Sequence, residues 1–242
     1  MPSDPECSNL LLRALSSDDF ALLAPSLSRQ PLDADRVLER CGARVSHAWF
    51  VENGIVSVSA QSEGCQVEVH MIGLEGMTGA SLLLDEPCAA YHCRVRAAGE
   101  GLCIPAPALR AAAAASRTLR AQLLRHVHAM MMETALTALC SACGTVEMRL
   151  ARWLLMTQDR EGGHVIAITH DVVAAALGAR RASVTGALHL LEGKRLLKST
   201  RGAVAITDRA GLAAMCGGMY RPLPLLARAG EARLAPSLPT LC

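Results

Sequence analysis

The 242-residue sequence lacks a hydrophobic run long enough to cross a membrane. Apolar stretches such as residues 111–115 are far shorter than the roughly 20 residues that a transmembrane helix needs. The start, Met1-Pro-Ser-Asp-Pro-Glu, also lacks the basic residues and the apolar run of an export signal. Both absences predict a cytoplasmic protein.

The residue combinations that mark enzymes and metal proteins are missing as well. The chain has no nucleophile beside a base, no phosphate-binding loop with a lysine, and no histidines and glutamates at metal-ligand spacing. Its ten cysteines follow no repeated spacing. The one C-x-x-C pair, Cys140-Ser-Ala-Cys143, has no second pair and no following histidine, so we interpret both cysteines as buried apolar residues. The sequence predicts no enzyme, no metal and no cofactor, and leaves an unknown small-molecule effector open.

Charge is nearly balanced overall, at a formal net value of +2, but it is unevenly distributed. Residues 1–115 carry a net charge of −6, residues 116–143 carry +2, residues 144–221 carry +5, and the remainder carries +1. A basic C-terminal third after an acidic N-terminal half is expected when one domain meets a polyanion. This distribution favours a nucleic-acid partner for the C-terminal part.

Residues 168–192 have the pattern of two short helices joined at Gly178. Thr169 is the predicted N-cap of the first helix, and Gly178 permits the tight reversal. The apolar residues that recur at helical spacing predict the inward faces of the two helices: Val172, Val173, Ala176 and Leu177, then Val184, Ala187, Leu188 and Leu191. This is a helix-turn-helix pattern. A helical hairpin that only packs against the rest of the chain is the alternative.

A second helix of this kind enters the major groove of DNA. Steps of about 100° from Val184 place Ala182, Thr185, Gly186 and His189 on the outward arc, with Ser183 at its border. Small residues at the centre predict close approach of the backbone. Arg181 is the best candidate for a bidentate contact to guanine, followed by Thr185 and His189. Phosphate contacts are predicted for Arg180, Ser183 and Thr169.

The residues after the helix pair, 194–207, predict two short strands around an Arg201-Gly202 turn. Val204 and Ile206 alternate there with small neighbours. A basic-tipped hairpin after a helix-turn-helix is a wing, which would bring Lys198 and Arg201 beside the phosphate backbone. This second element favours DNA binding over simple packing.

The N-terminal half predicts many short strands. Asn53-Gly54, between β-prone segments of residues 48–59, is interpreted as a hairpin turn. Residues 65–71 alternate apolar and polar side chains, which predicts a strand with one buried face, and residues 92–97 and 101–104 predict two more strands. Short strands at turn-marked intervals indicate a β-roll or barrel.

The stretch from Ser116 to Cys143 contains no glycine or proline and predicts one long helix. One face is a seam of apolar residues at spacings of three and four, which we assign to a dimer contact: Leu124, Val127, Met131, Ala135, Ala138 and Ala142. A second apolar face includes Leu123, Met130 and Leu136. Two apolar faces need two partners, which predicts packing on the chain's own β-domain and on the same helix of a second subunit. Burial within a single chain is the alternative.

Together these features resemble the Crp/Fnr family of bacterial transcription regulators. The resemblance covers about residues 30–212 and is most specific at Gly178-Ala-Arg-Arg-Ala-Ser-Val-Thr185 and at the Val146-Glu-Met-Arg-Leu-Ala-Arg-Trp-Leu-Leu155 helix. It implies an α+β fold with a cyclic-nucleotide-binding-like β-roll sensor (1–115), a dimerisation helix (116–143), a winged helix-turn-helix (144–217) and a loosely ordered tail (218–242). It also implies a homodimer on a pseudo-palindromic operator, and leaves RNA polymerase open as a further partner.

The same resemblance implies an effector pocket in the roll, at Gly76, Gly79, Ala80, Ser81, Tyr91 and His92. Members that bind cyclic AMP carry a Gly-Glu-Leu turn and a later Arg-Ser pair that neutralises the phosphate. Here the turn is Gly79-Ala80-Ser81, and residues 89–92 replace the pair. Arg94 and Arg96 are near in sequence, but strand alternation gives no reason to aim them inward. We therefore predict that cyclic nucleotide binding is lost or much weakened.

Two functional hypotheses follow from the sequence. The first is a dimeric, sequence-specific regulator. The second is a ligand- or redox-sensing module that acts mainly through protein contacts and keeps a vestigial DNA-binding part, because Ala182 and Gly186 replace the glutamate and the second arginine of the family's recognition helix.

Overall fold

Two long strands form the centre of the N-terminal sheet in the computed structural model, which describes residues 7–222. The antiparallel strands follow the order β1-β5-β3-β4, with β2 also paired to β5. Their bounds are β1 Ser28–Leu32, β2 Val37–Glu39, β3 His47–Ser62, β4 Cys65–Ile72 and β5 His92–Pro105. The flanking helices are α1 Leu10–Arg13, α2 Ser17–Leu23, α3 Ala80–Leu83 and α4 Ala106–Ala115. This is the predicted β-roll.

The predicted hairpin turn at Asn53-Gly54 is wrong, because both residues lie inside β3. Strand β3 runs through them with register shifts against β5 between Val51 and Val56. Gly54 has a φ of +85°, and a Cβ there would lie 2.6 Å from the Ala97 carbonyl oxygen. Glycine therefore serves a bulge rather than a turn. The two strands predicted at 92–97 and 101–104 are likewise one continuous strand, β5.

Strand β4 is present as predicted, but it does not have one buried face and one exposed face. Its polar residues Glu68 and His70 are buried, at 8% and 5% exposed. The sequence pattern missed this because α5 packs on β4 together with α6 and α7 of the C-terminal third. Alternation predicts which residues share a face, and distant parts of the chain decide whether that face meets water.

The predicted long helix is confirmed as α5, Arg117–Cys143, with the Ser116 hydroxyl accepting from the Leu119 amide as an N-cap. Leu119 and Leu123 are buried in the core of the roll. Val127 was assigned to the dimer seam, but it is buried in that same core, since it points towards the roll rather than away from it. Cys140 is buried as expected, whereas Cys143 is exposed, contrary to expectation.

The head, residues 146–216, contains four helices and a three-stranded antiparallel sheet of order β6-β8-β7. Its elements are α6 Val146–Glu161, β6 Val165–Ala167, α7 His170–Leu177, α8 Arg181–Gly193, β7 Leu197–Thr200, β8 Ala203–Ile206 and α9 Arg209–Met215. Helix α6 ends at Gly162, which is its C-cap and lies in the left-handed region. One apolar core joins α6, α7, α8 and the small sheet.

Buried polar contacts join the head to the roll. The Trp153 indole Nε1 donates to Glu68 Oε1 at 2.8 Å, and Arg96 stacks over that indole with its guanidinium carbon 4.4 Å from the ring centroid. Arg160 on α6 pairs with Glu75 of the roll at 2.8 Å and with Glu133 of α5 at 3.2 Å. Because these charges are buried and mutually paired, separating the parts would leave them unsatisfied.

The part of the predicted tail that follows Pro222 lies outside the described residues. Every helix between residues 7 and 222 is too short or too polar to span a membrane.

Candidate nucleic-acid interface

The helix pair has the local structure that its sequence predicts. The Thr169 hydroxyl accepts from the Val172 amide, and Gly178 ends α7 in the left-handed region with a φ of +56°. Arg180 is the N-cap of α8, and Arg181 is its first helical residue. The predicted inward residues of α8 are buried: Val184, Ala187, Leu188 and Leu191.

The inward face of α7 is less complete than predicted. Val173 and Leu177 are buried, and Ala176 is partly buried. Val172, which was assigned to the same face, is 41% exposed. Val172 is one residue from Val173 on a helix, so the two cannot point the same way, and Ala174 is buried in its place.

The two arginines at the start of α8 reach solvent. Arg181 Nη1 lies 3.2 Å from Asp171 Oδ2, and both side chains are 67% exposed. An ion pair this exposed contributes little to stability, so Asp171 orients the guanidinium without locking it. Arg180 and Ser183 are exposed beside it. The positive side chains are therefore free to meet an external polyanion.

The outward arc of α8 is small and open at its centre. Ala182, Gly186 and His189 are exposed, and a Cβ at Gly186 would meet no heavy atom of the chain within 4 Å. The chain's own packing therefore does not require glycine at that position. Thr185 is only half-exposed, and its hydroxyl lies 2.9 Å from His170 Nδ1 on α7.

The predicted wing is confirmed as the β7–β8 hairpin. Gly202 has a φ of +78° at the tip, and Lys198 and Arg201 are exposed. The Ser199 amide donates to Glu192 Oε1 at 3.2 Å, which ties the wing to the end of α8. The helix start and the wing thus belong to one rigid head that presents four cationic side chains: Arg180, Arg181, Lys198 and Arg201.

The residues assigned to the effector pocket differ in their surroundings. Gly76 lies beneath α5, where a Cβ would be 2.7 Å from His126 Cε1, and Tyr91 is exposed at 37%. Ser81 Oγ is buried without a partner among the described residues, while Ala80 and His92 are half-buried. None of these five residues, nor Gly79, lines the cavity of about 680 Å³ that lies between α5, α6 and the end of β4.

The amide at the start of α3 is already occupied by a carboxylate of the same chain. The Gly79 amide donates to Glu39 Oε1 at 2.6 Å, and Glu39 is 9% exposed. Burial raises the pKa of Glu39, while hydrogen bonds from Gly79 and Thr78 act in the opposite direction. A second anion at this turn would have to displace or face that carboxyl group.

Sequence reasoning missed the charged residues at the junction of the head and the roll. Arg96 was not expected to point inward, yet its side chain is 12% exposed and lies against Glu68 and Trp153. The sequence analysis also did not select Glu133 as a buried charged residue. Glu133 is the only acidic residue in the 116–143 stretch, and this isolation could have indicated a special position. Burial alone would raise the pKa of Glu133, but His70 and Arg160 lower it to about 2.

Comparison with known proteins agrees with this geometry. Residues 148–215 match the family model described as a Crp-like helix-turn-helix domain. No curated protein matches the sequence. Among solved structures, FixK2 from Bradyrhizobium japonicum is similar with a TM-score of 0.68 and 16% identity, over 78% of this chain and 96% of that one.

Two further structures show the same fold. A Crp/Fnr-family regulator from Thermus thermophilus has a TM-score of 0.65 and 21% identity, over 79% of this chain and 100% of that one. The c-di-GMP-responsive global regulator CLP of Xanthomonas campestris has a TM-score of 0.66 and 15% identity, over 79% of this chain and 99% of that one.

The exposed helix pair lies within the part of the chain that matches the helix-turn-helix model. Residues 148–215 are thus a Crp-like helix-turn-helix domain, and the chain as a whole has the fold of the Crp/Fnr-family structures compared above.

Proposed function

We propose that the protein acts as a homodimer that binds a pseudo-palindromic operator in a sequence-specific manner. The observation that carries this proposal is the start of α8, where Arg180 and Arg181 are exposed next to an open arc of small residues. Arg181 reads guanine in the major groove, and Thr185 and His189 are the next candidates for base contacts. Thr169, Arg180, Ser183, Lys198 and Arg201 contact phosphates. RNA polymerase stays a predicted further partner.

The outer face of α5 supports the proposal that two subunits form a dimer. Met131 is 64% exposed, Met132 44% and Leu139 48%, and the small residues of the seam lie exposed beside them: Ala135, Ala138 and Ala142. An apolar stripe on a long helix is suited to pairing with its own copy, because a two-fold contact matches each patch with itself.

The signal sensed by the roll is proposed to differ from cyclic AMP. The turn at Gly79 has neither an acidic residue at position 80 nor an arginine beside it, and Glu39 already accepts the Gly79 amide. A phosphate at this turn would be placed beside a buried carboxyl group, which is unfavourable.

Selection from a library of random duplexes with the full-length protein tests the proposal. The enriched sites should be pseudo-palindromes with half-sites about one helical turn apart, and affinity should fall steeply with salt because each head neutralises several phosphates. If no palindrome is enriched while the protein is folded and dimeric, the result contradicts the proposal and favours the sensing module that works through protein contacts.

Replacing Arg181 by alanine assigns the role of that residue at the selected site. The loss should be about 1–3 kcal/mol at one base pair, with relaxed discrimination there. Arg180→Ala is the matched control, since a phosphate contact loses affinity uniformly across sequences. A uniform loss for Arg181→Ala would assign that arginine to phosphate instead.

A further inference from the structure

A cavity of about 680 Å³ lies where the end of β4, the long helix α5 and α6 of the head meet. Its volume falls within the roughly 300–1,000 Å³ of small-molecule pockets. Much of its wall is apolar and includes Met130, Leu136 and Met156. Residues of the roll, the central helix and the head all contribute, so an occupant would contact every part that must move together in a regulator.

Two buried polar atoms on the wall lack hydrogen-bond partners within residues 7–222. One is Nε2 of His70, a residue that is 5% exposed and whose Nδ1 lies 3.2 Å from Glu133 Oε1. Glu75 Oε2 is also buried and unpartnered, while Oε1 of the same carboxylate accepts from Arg160. Buried polar atoms without partners cost free energy, so these atoms mark the place where a ligand would be bound.

The charges around the cavity are already balanced. Glu75 and Glu133 pair with Arg160, and Arg152 donates to the Met219 carbonyl oxygen at 2.9 Å and to the Thr137 hydroxyl at 3.0 Å. A charged ligand would therefore be buried without a free counter-charge, which is costly. Arg125 and Arg221 also line the cavity, but both are exposed, and Arg125 bonds to Gln122 on the same helix.

We propose that this cavity binds an uncharged, largely apolar organic molecule that donates an N–H or O–H hydrogen bond to Glu75. The apolar wall supplies the contact area, and the unpartnered Glu75 oxygen selects the donor group. If this molecule regulates DNA binding, it is an effector, and that role rests on the proposed function. Its binding to the cavity does not. Binding can be measured without DNA, so the two proposals can fail separately.

Titration of the full-length protein with N-phenyl-1-naphthylamine tests the proposal, because this dye is neutral and apolar, carries one N–H donor, and fluoresces in apolar surroundings. Saturable binding of one dye per chain is expected. Ala129→Trp should weaken it at least tenfold, since Ala129 is an exposed residue on the wall of the cavity and an indole there would fill it. Ala111→Trp, at an exposed position of α4 away from the cavity, is the matched control and should bind as the parent does.

The donor is tested with 1-benzylnaphthalene, in which a methylene group replaces the N–H. It should displace the dye with at least fivefold weaker affinity than the dye itself. Three results would overturn the proposal: no saturable binding to the parent, equal binding by the Ala129→Trp and Ala111→Trp variants when both unfold at the parent's temperature, or equal affinity of the two compounds.

Discussion

His126 lies where the long helix crosses the loop around Gly76, with Nε2 3.3 Å from both the amide nitrogen and the carbonyl oxygen of Met77. Burial lowers the pKa of His126 from 6.5 to about 4, and the neighbouring His70 acts in the same direction. The Met77 backbone and the carboxylates of Glu75 and Glu133 oppose this shift. The folded protein therefore holds His126 neutral over a pH range in which the unfolded chain takes up a proton.

Stability should consequently fall as the pH decreases from about 6.5 towards 4, by up to about 1.4 kcal/mol per pH unit and about 3 kcal/mol in all. The sign follows because the unfolded state binds the proton first. Urea unfolding at pH 7 and pH 5, at one protein concentration, measures the decrease.

His126→Gln should flatten this pH dependence, since it removes the titrating ring. His164→Gln, at an exposed position, controls for the loss of an imidazole as such. A parent protein that is equally stable at both pH values would show that His126 does not stay neutral in the fold.

Helix α8 contains a glycine that destabilises the helix and that lies at the proposed DNA contact. Gly186 lies in the helix interior, where glycine costs about 1 kcal/mol relative to alanine, and the chain leaves open space around it. If DNA approaches the backbone closely at this point, Gly186→Ala should raise the free energy of unfolding by about 0.5–1 kcal/mol and yet weaken operator binding. Chemical unfolding and titration of the selected duplex measure the two effects.

Gly193 provides a control within the same helix. It is exposed at the C-terminal end of α8 and also has open space where a Cβ would lie. Gly193→Ala should leave DNA affinity unchanged. If Gly186→Ala also leaves affinity unchanged, the close approach of the backbone to the groove is refuted.

At the scale of the whole molecule, the outer face of α5 is the proposed dimer contact. Ala135 is exposed at the centre of the seam, so Ala135→Glu would place two like charges close together across a two-fold contact. The parent should have twice the 25.5 kDa mass of the chain, and the variant should be monomeric at the same concentration. Sedimentation equilibrium measures both.

Ala111→Glu, an exposed substitution on α4, should leave the dimer intact. The monomeric variant should also lose at least tenfold in affinity for a duplex with two half-sites, because its second head is no longer tethered to the first. A monomeric parent would contradict the proposed dimer directly.

Local pattern was sufficient to predict the helix pair, the wing and the long helix. Thr169 caps α7, Gly178 permits the reversal, and Val184 to Leu191 repeat at helical spacing. These features depend on backbone preferences and on the spacing of apolar residues. Both are determined by residues that are close together in the sequence. They also locate the exposed arginines, because the inward residues of a short helix determine its outward ones.

Tertiary structure decided which surfaces are covered. Val127 faces the chain's own roll instead of the seam, and Asn53-Gly54 is a bulge because β5 continues beside it. Glu68 and His70 are buried because α5 and the head pack on β4. The cavity beside His70 follows from the same packing. Each of these features depends on a segment that lies tens of residues away in the sequence. The spacing of apolar residues predicts the type of an element, but it does not show which other segment packs on it.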